Sequence, residues 1–351
     1  MRKLRIGIVG CGSIAHWAHM DSYQEMDNVE IVAVCDIIKE RAEEMKKEYN
    51  LTSAKVYQDY NDLIADPNVE SVDVCTPNYL HSKVAVAALN AGKHVFTEKP
   101  DAINVEEVKK MEAAAKASGK TLMVMRNNRF SHASRWLKKY IEDGKMGEIY
   151  AARCGWIRQN GEPASDWFAD NSQSGGGALI DLGVHMIDLA IWLMGNPHPV
   201  SVSANTYSKF GHKESRYREF GGKVIDKFDV DDLTMGFIKF DNGACLQLEF
   251  SWASNVEQEK RFVELRGTEA GAYWTGGHLK LIHEDANGDM TSETPEPHYP
   301  EPGEHAGNLH NYVDVVLNGA EPCFKIEQGV DMIKILRAVY ESAQTGKEVR
   351  L

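Results

Sequence analysis

The chain has no CxxC pair, no excess of basic side chains and no uninterrupted apolar stretch near the roughly 20 residues that a bilayer crossing needs. Its six cysteines, at positions 11, 35, 75, 154, 245 and 323, are too scattered for a zinc knuckle or a disulfide framework. Spread in this way, cysteine serves as a small apolar side chain in a reducing compartment, so a cytoplasmic protein is expected. The opening Met1-Arg2-Lys3-Leu4-Arg5 superficially resembles a signal sequence, but the apolar run after it, Ile6 to Val9, falls short of the roughly 7–15 residues of a secretory core. A soluble chain without a membrane partner follows as an expectation. The charge balance, 39 basic against 52 acidic side chains and a formal net charge of −13, also argues against nucleic acid, whose phosphates need a concentrated basic surface.

What is present is a change of rhythm. At 351 residues the chain exceeds what one core usually fills, and two domains are expected, residues 1–124 and 125–351. In the first, short β-branched runs (Leu4–Val9, Val29–Cys35, Ser71–Cys75, His94–Thr97, Thr121–Val124) alternate with helical segments (Ile14–Tyr23, Lys39–Tyr49, Tyr60–Ala65, Ser82–Ala91, Val105–Ala117). That alternation predicts a doubly wound parallel α/β sheet. The second domain begins with a helix at about Ser134–Asp143, an extended run near Ile149–Ile157 and the glycine run Ser174-Gly175-Gly176-Gly177, followed by an apolar helix from about Leu179 to Met194. Beyond Pro197 antiparallel strands are expected, clearest around the hairpin turn Asp241-Asn242-Gly243. Four of the eleven prolines fall in Glu293–Gly303, which reads as a surface loop before two closing helices, His305–Leu317 and Ile326–Thr345. The second domain is thus predicted to be α+β, on a large, mainly antiparallel open sheet.

The sharpest local signal is Gly10-Cys11-Gly12-Ser13-Ile14-Ala15, directly after a strand and opening a helix. Gly10 permits the tight turn, Gly12 lets the backbone approach a pyrophosphate, and Ala15 allows close helix packing, with the anion at the helix N-terminus. Asp36, at the end of the second strand, suits the ribose hydroxyls and repels a 2′-phosphate, so NAD is favoured over NADP. The same aspartate could instead cap the following helix. Two further loops, Cys75-Thr76-Pro77-Asn78 with His81 and Thr97-Glu98-Lys99-Pro100, lie at carboxyl ends of parallel strands, where open sheets place ligands.

Hydride transfer from a carbinol carbon needs a base for the hydroxyl proton and a positive group for the developing oxyanion; Lys99, at the crevice mouth, suits the second task. Asp181 and His185, four apart, share one helical face, and histidine suits the first. On spacing alone, a capping aspartate and an interior histidine read equally well. No nearby histidine or cysteine completes a ligand set, so no metal is expected. Trp156, Arg158, Trp167 and Phe168 are candidates for a sugar-facing wall, with core packing as the equal alternative.

Together, Gly10-Cys11-Gly12, Asp36, Cys75-Thr76-Pro77-Asn78, Glu98-Lys99-Pro100 and the Asp181/His185 segment resemble the glucose-fructose oxidoreductase and inositol dehydrogenase family (Gfo/Idh/MocA), over essentially the whole chain. The resemblance implies a Rossmann domain with an open-sheet domain that forms homodimers or homotetramers. It implies a catalytic triad of Lys99, Asp181 and His185, and places Thr76, Asn78, His81, Glu98 and Asn127 near the nicotinamide half of NAD. It further implies a sugar, cyclitol or glycoside substrate. A redox-neutral NAD-dependent glycosidase and a non-catalytic NAD sensor are the competing functions, the sensor having no use for an acid/base set.

Overall fold

The computed structural model describes residues 2–161, 166–213 and 227–351. The chain divides into two compact units, residues 1–127 with 301–330, and residues 128–300 with 331–351. Unlike a single cut after residue 124, this division returns residues 301–330 to the first unit.

In the first unit the strands are β1 (Leu4–Val9), β2 (Val29–Cys35), β3 (Lys55–Tyr57), β4 (Ser71–Val74), β5 (His94–Thr97) and β6 (Leu122–Val124). They pair in parallel in the order β3-β2-β1-β4-β5-β6, so the strand order reverses between β1 and β4, where doubly wound sheets open a ligand crevice. The connecting helices are α1 (Asp21–Gln24), entered through a π-helical turn Ala15–Met20, then α2 (Lys39–Glu48), α3 (Tyr60–Ala65), α4 (Asn78–Asn90) and α5 (Val105–Ser118). α5 shows why such a segment folds locally: the Asn104 side chain accepts the Glu107 amide at its start, and Gly119, with φ at +63°, stops it in the left-handed conformation. β3 is an addition to the expected strands, a three-residue edge too short to show alternation. α4 begins four residues earlier than expected, because Pro77 holds the N-cap position and its fixed φ admits a helix immediately after it. Asn78 and His81 therefore stand in the first turn of a helix.

The second unit holds α6 (His132–Glu142), β7 (Ile149–Ile157), α7 (Asn171–Ser174), a π-helical turn Leu179–Gly183 that runs into α8 (Val184–Leu193), and the strands β8 (Pro199–Tyr207), β9 (Leu233–Phe240), β10 (Cys245–Ser251), β11 (Lys260–Gly267), β12 (Ala270–Thr275), β13 (His278–Glu284) and β14 (Met290–Glu293). Then come α9 (Glu304–Asn318), α10 (Ile326–Thr345) and β15 (Val349–Arg350). Among the described residues nine strands form one sheet, β14-β13-β12-β11-β7-β10-β9-β8-β15, in which β7 and β10 pair in parallel and the other pairs are antiparallel. The Asn-Gly turn joins β9 to β10 as read, with Gly243 at φ +84°.

α9 belongs to the first unit: its Leu309, Tyr312 and Val313, with Phe324, are buried in one cluster with Ile6, Ile8, Met20, Phe96 and Met123. The stretch Asn171–Leu193 is long and apolar enough to cross a membrane by length and composition, contrary to the expectation that no stretch is, but 78% of its apolar window is buried inside the fold, as in a core helix.

Candidate active site

The glycine loop meets its steric description. Gly10 has φ +95°, and a Cβ there would lie 2.6 Å from the Cys75 carbonyl oxygen, so any other residue would push β1 and β4 apart. Over Gly12 no described residue beyond its two chain neighbours comes within 4 Å of the Cβ position, leaving the open backbone that a pyrophosphate requires. Ser13 is exposed, Ile14 packs partly onto the core, and Ala15 is fully buried against it.

Asp36 directly follows β2 and is buried; its two oxygens accept the Cys11 amide at 2.9 Å and the Ile38 amide at 2.8 Å. The carboxylate is thereby fixed beside the glycine loop with a further lone pair on each oxygen for hydroxyl donors. It does not cap α2, whose N-cap is Ile38 without a side-chain bond.

Among the described residues, the buried polar atoms with no hydrogen-bond partner in the protein include Thr76 Oγ1 and Asn127 Oδ1, both in this unit. Buried polar atoms are normally satisfied, so these orphans, the open Gly12 and the oriented Asp36 fit a dinucleotide at the β1/β4 switch. Asn78 is buried in the same loop. His81 serves differently: its two ring nitrogens lie 2.7 Å from the Pro100 carbonyl oxygen and 2.8 Å from that of Thr76, so it ties the two loops to each other. Burial pushes His81 toward the neutral form, against the pull of these two carbonyls, and a neutral ring donates to one of them at a time.

Glu98 is buried at the end of β5 with both oxygens engaged: Oε1 lies 2.9 Å from His19 Nε2, and Oε2 accepts the Lys99 amide at 3.0 Å. Burial works to raise its pKa, but hydrogen bonding and attraction from His19, aided by His305 and Lys99, hold it down at about 2. Lys99 follows, half-buried, its peptide to Pro100 cis.

In the second unit, every residue from Ser174 to Ala190 is buried except two, Asp181 and His185. The helical face that the four-residue spacing predicts is thus the accessible face of an otherwise enclosed segment. Asp181 accepts the indole N–H of Trp252 at 2.9 Å, so a fully buried aromatic orients it. His185 lies beside Trp156, ring centroids 6.1 Å apart, and the guanidinium groups of Arg158 and Arg261 sit over that indole at 4.8 and 4.4 Å. Trp167 stacks on Phe168, which meets Trp252 edge-on. Of the candidates for the sugar-facing wall, Trp156 is therefore adjacent to His185 and Arg158 is linked to it through the Trp156 indole, whereas Trp167 connects to Asp181 through Phe168 and Trp252.

The glycine run ahead of this helix has a structural cause. A Cβ on Gly177 would lie 1.8 Å from the Asp231 carbonyl oxygen, and one on Gly176 2.0 Å from the Tyr340 hydroxyl. Asp231 accepts the amides of Gly177 and Leu179 and the hydroxyls of Tyr340 and Thr234. It anchors the start of the segment that carries Asp181 and His185. Behind the same helix, Arg129 forks onto Asp188 with bonds of 2.8 and 2.6 Å, a buried bidentate pair. Trp252, Arg261 and Asp231 escaped the sequence reading, since each draws its meaning from a partner tens of residues away.

The model of the oxidoreductase family's NAD-binding Rossmann fold (GFO_IDH_MocA) matches residues 4–126, and that of its C-terminal α/β domain matches residues 138–351. D-glucoside 3-dehydrogenase of Escherichia coli (strain K12) is 32% identical over 349 residues, 99% of this chain and 97% of that protein. The NAD(+)-type scyllo-inositol 2-dehydrogenase of Bacillus subtilis (strain 168) is 25% identical over 351 residues, 99% and 96% of the two chains. Among solved structures, levoglucosan dehydrogenase in complex with NADH and levoglucosan superimposes with a TM-score of 0.86 at 26% identity, covering 99% of both chains.

Proposed function

Because the chain belongs to the Gfo/Idh/MocA family of NAD-binding oxidoreductases, we propose that it reversibly oxidises a ring hydroxyl of a sugar, cyclitol or glycoside, with Lys99, Asp181 and His185 as its catalytic residues. The observation that carries this reading is the pair Asp181 and His185, the only accessible side chains of a buried segment. When bound, NAD+ supplies the hydride acceptor. His185 takes the hydroxyl proton, a task that an imidazole performs near neutral pH. Asp181, fixed by Trp252, stabilises the imidazolium that forms. Lys99 offers its ammonium to the oxygen as negative charge builds there while the C–H bond breaks. The carbinol thus loses one hydride and one proton and becomes a carbonyl. Trp156 and Arg158 supply an aromatic face and a donor for a polyhydroxylated ring, with Trp167 further along the same wall. Asp36 favours NAD over NADP. The relatives named above act on a glucoside, an inositol and an anhydrosugar, which sets the range of compounds to screen.

Replacing His185 with alanine should lower kcat by about 100-fold or more while NADH affinity, read by fluorescence titration, stays within about threefold. Unchanged turnover would remove His185 from the chemistry.

A further inference from the structure

The first unit holds a buried ion cluster that the reaction as described does not use. His19, on the π-helical turn Ala15–Met20, is fully enclosed, and its Nδ1 lies 2.7 Å from Asp73 Oδ2 while its Nε2 lies 2.9 Å from Glu98 Oε1. Asp73, on β4, also accepts the Tyr23 hydroxyl at 2.9 Å, and the Cys75 thiol stands 3.9 Å from its other oxygen. The His19 ring packs edge-on against Tyr23 and Phe96, so it cannot turn away from its partners.

We propose that His19 is the positioning residue for the Glu98-Lys99-Pro100 loop, donating from one ring nitrogen to Asp73 and from the other to Glu98, so that the second Glu98 oxygen holds the Lys99 amide. This rests on the catalytic reading of Lys99 given above. Between two ionised carboxylates a neutral imidazole, which carries one N–H, would set a lone pair against one of them, so the bridge between them requires a proton on each nitrogen. Burial opposes that charge, yet the attraction of Asp73 outweighs it and raises the His19 pKa well above its ordinary value. The groups facing the ring are Asp73 and Cys75 from β4 and the residues after it, Glu98 from the end of β5, Tyr23 from α1 and His305 from α9, with Lys99 acting on Glu98 and His305. His19, Asp73 and Cys75 are also close enough to hold a metal ion. The proton bridge leaves no imidazole lone pair for one, and the Cys75 thiol, pushed up to about 12 chiefly by burial, stays protonated.

The result is a clamp on both sides of Lys99. Its own amide is bound by Glu98, and the next carbonyl, that of Pro100, lies against His81. A lysine that must meet a developing oxyanion gains from a stem that starts at a fixed backbone, since small displacements of a catalytic group cost large factors in rate. His19 acts through Glu98 and touches neither substrate nor cofactor.

Two near-isosteric substitutions separate the halves of the bridge. An asparagine places its amide nitrogen near the histidine Nδ1 position and keeps the Asp73 side, whereas a glutamine places its own near Nε2 and keeps the Glu98 side. Both are made in an Asp73→Asn background, so that no carboxylate loses its counter-charge on that side. With the substrate identified by screening, His19→Gln should retain kcat to within about fivefold, and His19→Asn should lose about 100-fold in kcat with KM and NADH affinity little changed. Equal kcat in the two folded variants overturns the proposal. Independently of any substrate, 15N-histidine NMR of the wild-type protein at about pH 8.5, where ordinary histidines are neutral, should show a doubly protonated ring that disappears in His19→Gln. Absence of that signal in the wild type overturns it as well, even if a variant does not fold. Lys99→Ala serves as the reference: full turnover there overturns the catalytic reading of Lys99 and the purpose of the clamp with it, whereas loss of turnover there beside unimpaired His19→Asn overturns the clamp alone.

Discussion

At the scale of single residues, the site depends on side chains whose polar atoms are already committed. Trp252 is the simplest case, a buried indole whose one donor goes to Asp181. Trp252→Phe keeps most of the packing and removes the bond; kcat should fall about 10-fold while unfolding free energy drops by about 0.5–1.5 kcal/mol, the ordinary net worth of one hydrogen bond. Thermal denaturation alongside steady-state kinetics checks both, and an unchanged kcat would show that Asp181 needs no such anchor. Glu98 gives a pH prediction. Its folded pKa is depressed to about 2 from an ordinary 4.5, so its contribution to stability is present above the ordinary value and is lost as pH falls toward 2. Glu98→Gln should therefore flatten the loss of stability between about pH 4.5 and 2, seen in acid unfolding followed by circular dichroism; an identical acid limb would contradict the assignment. Asp36 and the glycine loop were legible in the sequence because their work is local: a tight turn, an open backbone and a carboxylate at a strand end all follow from neighbours in the chain. His19 was not legible, because Asp73 and Glu98 stand 54 and 79 positions away and nothing near His19 marks it.

At the scale of elements, long and strongly patterned segments read correctly, and irregular ones did not. The strands of the parallel sheet, the helix at α5 and the β9/β10 hairpin carry signals within a dozen residues. β3 is a short edge whose identity comes from pairing with β2. The two π-helical turns, Ala15–Met20 and Leu179–Gly183, have no periodic signature, and both fall in the segments that carry His19 and Asp181. The helix bearing Asp181 and His185 is further held by Asp231, 52 positions from Leu179. Replacing Asp231 with alanine strands the Gly177 and Leu179 amides and the Tyr340 hydroxyl, and should cost about 2–4 kcal/mol. Chemical denaturation measures it, and a cost below about 0.5 kcal/mol would show that the glycine run is held by packing alone.

At the scale of the whole molecule, the return of α9 to the first unit was hidden because its amphipathic pattern says that it buries a face without saying against what. The second unit leaves Tyr207 of β8 and Met235 and Phe237 of β9 exposed on its sheet. Large apolar side chains gathered on one surface are what a second copy of the chain would cover, and sedimentation should report a dimer or tetramer; a monomer at micromolar concentration would contradict the expected assembly. The chemistry itself has one direct test. Glycosides, inositols and anhydrosugars are offered with NAD+, and NADH absorbance and product are followed together in the wild type and in His185→Ala. The account predicts one NADH for each ring carbonyl formed, and loss of both in the variant. Glycosidic cleavage without net NADH, or NADH formation that survives the loss of His185, would contradict it.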